Sequence, residues 1–248
     1  MTGQKQAVED IVGMGIDGCR GGWLVCRIKQ NGRPEFELQR SLADMPGLLT
    51  SGVDVFIDMP FGLSADQPRL CDSLARALLG KRASTIFPVP CRKAVYAASY
   101  AQACQINQTL CGKKLSIQAW NLTPKIRELD QFLRTNPSLQ NLFYESHPEL
   151  CFRWLNDGRV LSSSKKTSVG QAERLRLLQK RARIDQPTLI RWRKRMGLSN
   201  AQPDDLLDAL ALAVCAAAPR KLRYFVPETP LHDAFGLRMN VVCLSNAE

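Results

Sequence analysis

The first sixty residues alternate between short apolar runs and polar breaks. Ile11 to Asp17 is apolar with interspersed glycines, Trp23 to Ile28 is a second apolar run, and Glu35 to Arg40 alternates with Phe36 and Leu38 on one side. The two apolar runs bounded by turn residues, and the period-two alternation of the third, read as strands. Residues 18–22 form the first turn, and Asn31-Gly32 is a strong hairpin signal between the second and third runs. The pattern predicts an antiparallel meander. A short helical piece is expected near Leu42 to Leu49. A fourth strand, Val53 to Asp58, follows it, nearly all apolar as a strand buried on both faces should be. Pro60 and Gly62 end that strand.

From Leu63 to Asn141 the pattern turns helical. Helices are predicted over Pro68 to Leu79, with Gly80 in the capping position, over Ala94 to Ile106 and over Pro124 to Arg134. Ile86-Phe87-Pro88-Val89-Pro90 reads as a rigid loop between them. Leu142 to Glu145 is a fifth strand. His147 to Leu155, Ser168 to Arg183 and Pro187 to Met196 are helical. The last helix, Asp204 to Ala218, carries Leu206, Leu207, Leu210, Leu212 and Val214 on nearly every side and must be buried. No internal repeat or low-complexity linker divides the chain. The expected plan is one domain over residues 1–248, with a helical insertion at about 63–141.

Composition adds location and partners. Of 248 residues, 45% are hydrophobic and 23% charged, which excludes a disordered chain. No run approaches the roughly 20 apolar residues of a membrane span, and Met1 to Asp10 lacks the apolar stretch of a signal peptide. A cytoplasmic location with no membrane partner is expected. The nine cysteines form no CxxC pair, and His147 and His232 are the only histidines, so reduced core cysteines are expected rather than a zinc site. The net charge is +11, and its surplus lies between Arg159 and Arg195. That stretch is either a solvated helix face or a surface for phosphate backbones, whose binding would depend on salt.

The acids carry the chemistry. Asp17, Asp58 and Glu145 end strands one, four and five, and Asp205 and Asp208 begin the buried last helix on one face. A carboxylate at the end of an apolar element is costly unless it is paired or metal-bound. Each has a plainer explanation. Asp17-Gly18 could make a turn, and Asp58 could cap one before Met59-Pro60. Asp204 or Asp205 could cap the helix, and Glu145 could simply end a strand. Asp208 is harder to explain so, because it lies past the cap between Leu207 and Ala209. If strands one and four are neighbours, their acids converge and raise one another's pKa unless cations neutralise them. Hard oxygen donors suit Mg2+ or Mn2+. Two such ions about 4 Å apart stabilise the attacking and leaving oxygens of a phosphodiester. Gly13-Met14-Gly15-Ile16-Asp17-Gly18 matches GxGxxG, but the chain runs on into a strand instead of a helix, which argues against a dinucleotide site.

Seven ordered motifs add a resemblance. They are Gly15-Ile16-Asp17-Gly18-Cys19-Arg20-Gly21-Gly22-Trp23, Ile57-Asp58-Met59-Pro60-Phe61-Gly62-Leu63, Phe87-Pro88-Val89-Pro90-Cys91-Arg92, and Gln118-Ala119-Trp120 with Pro124-Lys125-Ile126-Arg127-Glu128. Tyr144-Glu145-Ser146-His147-Pro148-Glu149, Ser164-Lys165-Lys166-Thr167 and Asp204-Asp205-Leu206-Leu207-Asp208-Ala209 complete the set. With them the chain resembles, over nearly its whole length, a family of uncharacterised proteins described as predicted ribonuclease H-like nucleases. It is similar, more distantly, to the Holliday-junction resolvase RuvC, which lacks the insertion.

The resemblance implies an α/β fold with a ribonuclease H-like mixed five-stranded sheet, strands one to three antiparallel and four and five parallel, flanked by helices. It implies Mg2+- or Mn2+-dependent hydrolysis of DNA or RNA. Asp17 would bridge the ions, and Asp58, Asp205 and Asp208 would complete their shells. Glu145 and His147 would orient water or assist proton transfer, and Arg20, Lys165, Lys166 and the basic helices would hold phosphates. Two other classes remain. An ATP-dependent phosphotransferase of the actin and sugar-kinase type also opens on an Asp-Gly strand-turn-strand, but needs a second nucleotide-binding lobe. A non-catalytic nucleic-acid-binding protein would bind without magnesium and cleave nothing.

Overall fold

The structure, a computed structural model, describes residues 11–45 and 52–246. Its main sheet contains β1 (Ile11–Cys19), β2 (Gly22–Lys29), β3 (Pro34–Gln39), β4 (Val55–Asp58) and β5 (Phe143–Glu145) in the order β3-β2-β1-β4-β5. The β1–β2 and β2–β3 pairs are antiparallel, whereas β1–β4 and β4–β5 are parallel. The main sheet thus has the mixed ribonuclease H-like arrangement expected from the sequence. Of the helix expected over Leu42 to Leu49, a 3-10 turn, Leu42–Asp44, is seen. Residues 46–49 lie outside the described residues.

Alternation along β2 assigns the two faces. Leu24, Cys26 and Ile28 pack with Phe36 and Phe56 on one side, and Trp23 and Val25 pack with Met14, Ile16, Val55, Ile57 and Phe143 on the other. The helices between β4 and β5 are α1 (Leu70–Leu79), α2 (Arg92–Val95), α3 (Tyr100–Cys111) and α4 (Ile117–Thr135). Ile126, Leu129, Phe132 and Leu133 of α4 cover the second face. After β5 come α5 (Pro148–Leu155), α6 (Ser168–Gln179), α7 (Gln186–Met196) and α8 (Pro203–Ala216), which build the core on the first face.

The apolar last helix lies against the sheet, as its sequence requires. A Cβ on Gly13 would strike the backbone at Ala213 and Ala217, and one on Gly15 the backbone at Ala209 and Ala213. Gly13 and Gly15, the first two glycines of the GxGxxG string, therefore let α8 approach β1, which accounts for those two without a nucleotide.

Three elements differ from expectation. The helix over Ala94 to Ile106 is two helices, because the Ser99 hydroxyl accepts from the Gln102 amide and starts a new one. The helix expected from Pro124 begins at Ile117, capped by Ser116, and runs through the proline. Proline cannot donate to the Trp120 carbonyl, which instead accepts from the Thr123 hydroxyl at 2.8 Å. An antiparallel hairpin of β6 (Arg223–His232) and β7 (Arg238–Leu244) was not anticipated. Pro227 and Pro230 break the strand signal of β6, while Val241 and Cys243 of β7 pack against Cys71 and Leu79 of α1. All nine cysteines are free. Among the described residues no helix is long and apolar enough to cross a membrane.

Candidate active site

Parallel pairing of β1 with β4 places Asp17 directly beside Asp58. Parity along the strands decides their direction. Asp17 shares its face with Gly13 and Gly15, which contact α8, and Asp58 shares its face with Phe56, which packs in the same core. Both acids therefore end on the α8 side, where Asp205 and Asp208 lie on the first turns of the helix. Asp17 is 6% exposed and Asp208 1%, while Asp58 and Asp205 are half-buried.

Lys165, in the loop before α6, donates to Asp208 Oδ2 at 2.5 Å. Burial alone would lower its pKa, but Asp208, Asp17 and Asp58 outweigh burial and raise it. One ammonium does not balance the cluster. Burial raises the Asp208 carboxyl to about 7 despite Lys165, with Asp58 adding to the rise. Burial, then Asp58 and Asp208, raises Asp17 well above the usual range. Asp205 is raised by burial as well, although its Oδ2 accepts from the Gln202 amide at 2.7 Å and so helps to cap α8. Asp204 is held by Lys166 at 2.6 Å.

Glu145 is placed differently. Its partner in the parallel register is Ile57, so it takes the opposite face from Asp17 and Asp58. There Arg69 Nη2 donates to both carboxylate oxygens at 2.7 Å, and the Phe61 amide donates to Oε2 at 3.1 Å. The two partners' shifts pull apart: burial pushes Glu145 up to about 7, whereas Arg69 is raised by Asp72 and Glu145 against its own burial. Three hydrogen bonds from two donors, the Arg69 guanidinium and the Phe61 amide, favour the ionised pair. Arg69 was not anticipated; the need of a buried Glu145 for a cation was the available signal. Glu128 was also missed. It accepts from Trp23 Nε1 at 2.9 Å, Ser41 Oγ at 3.0 Å and the Leu42 amide at 2.7 Å, which ties α4 to β2.

His147 sits just ahead of α5, its Nδ1 accepting from the Glu149 amide at 3.2 Å and its Nε2 facing the Thr85 carbonyl at 3.3 Å. Arg20 is exposed in the β1–β2 turn. The basic segment is partly used internally, because Arg174 is fully buried on Glu149 at 2.6 Å and Arg181 lies over the Trp154 ring. Arg176, Lys180, Arg183, Arg191, Lys194 and Arg195 remain exposed.

Asp17, Asp58, Asp205, Asp208, Glu145, His147 and Lys165 all line one cavity of about 390 Å³ at the C-terminal edge of the parallel strands, whereas Arg20 and Lys166 do not. Ligands of open α/β sheets bind at this edge. No three His, Cys, Asp or Glu side chains among the described residues are gathered closely enough to hold an ion as they stand. The donors still fit Mg2+ or Mn2+ chemically: they are carboxylate oxygens, and Asp208 Oδ1 is buried without a hydrogen-bond partner.

The fold and the site define an α/β protein with a carboxylate cluster at the edge of a mixed sheet. The chain belongs to the DUF429 family, proteins of unknown function, whose model matches residues 15–230. No curated protein and no solved structure matches it.

Proposed function

We propose that this chain is a ribonuclease H-like, Mg2+- or Mn2+-dependent nuclease that hydrolyses nucleic-acid phosphodiesters. The observation that carries the reading is the cluster of Asp17, Asp58 and Asp208, buried or half-buried beside one another, under-neutralised by Lys165 and opening on a cavity. Such a cluster stores repulsion that a divalent cation relieves. When bound, Mg2+ or Mn2+ supplies charge stabilisation at the reacting phosphate and a more acidic water. Asp17 and Asp58, adjacent in the sheet, and Asp205 and Asp208, on one helix face, would hold it. Lys165 would then leave Asp208 and neutralise a phosphate oxygen. Water adds its oxygen to phosphorus as the ester P–O bond breaks, and the proton that this water loses balances, through solvent, the one that the leaving oxygen gains. His147 lines the cavity and would assist proton transfer only by releasing the Thr85 carbonyl from Nε2. Glu145, engaged by Arg69 and the Phe61 amide, would shape the wall. The exposed cations of α6 and α7 would hold the flanking backbone.

One observation favours a second reading, a nucleic-acid-binding protein without catalysis: the acids as they stand are not gathered into an ion site. Calorimetry with Mn2+, followed by cleavage assays on DNA and RNA, separates the two. The nuclease reading expects binding at millimolar Mn2+ or tighter and cleavage that Asp17→Asn abolishes. Salt-sensitive binding with no Mn2+ uptake and no cleavage would overturn it.

A further inference from the structure

The acids lie in a cavity roofed in large part by the chain between β4 and β5, with Pro148 and Val241 completing its lining. Ile86 and Phe87 from the loop after α1, and Leu122 from α4, give the cavity an apolar wall, while the Gln118 amide and the Arg82 guanidinium add polar groups. A volume of about 390 Å³ lies in the usual range for pockets that enclose a small molecule. Asp17 and Asp208, at 6% and 1% exposure, are not on a surface that a rigid rod could lie across. In a paired helix each phosphate is flanked by neighbouring base pairs that cannot enter such a space. An unpaired nucleotide can enter, bringing its phosphate to the acids and its base to the wall.

The far end of the cavity suits the anionic backbone. Arg82 lies against Glu149 at 3.2 Å, yet its buried Nε has no partner. Arg174 also pairs with Glu149, so Arg82 is the second of two guanidinium groups on one carboxylate. The base-sized wall carries one half-buried aromatic ring, Phe87, and one exposed amide, Gln118. Stacking on an aromatic ring is tolerant of sequence, whereas a single amide reads little of a base edge.

We infer that the roofed cavity takes an unpaired nucleotide, so that the substrate is single-stranded nucleic acid or a frayed strand end rather than a continuous duplex. This rests on the nuclease reading above. It follows from extrusion of a base out of a duplex, which carries an energetic cost that a single strand avoids.

The test uses the full chain with Mn2+ and one 20-nucleotide sequence, end-labelled, as a single strand and annealed to its complement, in DNA and in RNA. The single strand should be cut at least about ten-fold faster than the duplex. Phe87→Ala and Gln118→Ala should raise KM for the single strand by about five-fold or more while calorimetric Mn2+ binding stays unchanged. Gln118 is exposed, so that variant keeps the fold if Phe87→Ala does not. Metal-dependent cutting of the duplex at an equal or higher rate would overturn the inference and leave the nuclease reading standing. No cutting of any strand would overturn both. Unchanged KM in both variants would remove the wall from substrate binding and overturn the inference.

Discussion

Replacing Asp208 by Asn removes one charge from the cluster and keeps its shape. The carboxyl titrates near 7 in the fold instead of near its ordinary 3.8. At about 1.4 kcal/mol per tenfold change in proton affinity, that difference corresponds to a ceiling of about 4 kcal/mol. The sign follows from linkage. Between pH 4 and 7 the unfolded chain has released this proton and the folded chain still holds it, so stability falls as pH rises through that window. Above 7 the folded protein keeps a buried carboxylate ionised and the loss is complete. Asp208→Asn has no such proton and escapes the loss. Urea melts without divalent ions should find the variant close to wild type at pH 4 and more stable at pH 8, by about 2 kcal/mol and at most about 4. Added Mn2+ should raise the wild-type melting temperature and leave that of the variant unchanged. A variant less stable than wild type at pH 8 would show that the Lys165–Asp208 pair is a net structural contact, and the argument from stored repulsion would fail.

Glu145 should behave in the opposite way. Glu145→Ala leaves the Arg69 guanidinium, 0% exposed, with Asp72 at 3.4 Å as its remaining carboxylate beside the Cys71 sulfur. Denaturant melts should show a loss of about 3 kcal/mol or more, and an unchanged melt with lost cleavage would make Glu145 a catalytic group instead. Gly15→Ala places a methyl against the backbone of α8 at Ala209 and Ala213. It should cost about 1–3 kcal/mol or more, and a variant as stable as wild type would mean that α8 sits further from β1 than described.

The strands, the buried last helix and the acids at their ends were legible in the amino-acid sequence because they depend on local rules. Apolar runs between turn residues mark β1 and β2, period two marks β3, a continuous apolar run marks β4, and an all-round apolar pattern marks α8. The hairpin of β6 and β7 was not legible. Its prolines mask the strand pattern, and its stability comes from packing on α1, far away in the chain. Neither was the division of the acids. Asp58 and Glu145 end their strands and Asp17 lies two residues before the end of β1, and nothing local tells which face each one takes. Only the pairing of Asp17 with Asp58, and of Glu145 with Ile57, turns the first two toward α8 and the third toward Arg69. Likewise, the spacing of Asp205 and Asp208 places them on one helix face, but only the docking of α8 on β1, through Gly13 and Gly15, sets that face beside Asp17. The sequence by itself determined which residues carry charge and on which elements. The tertiary structure decided which of them meet, because register and packing fix the direction of a side chain and local pattern does not.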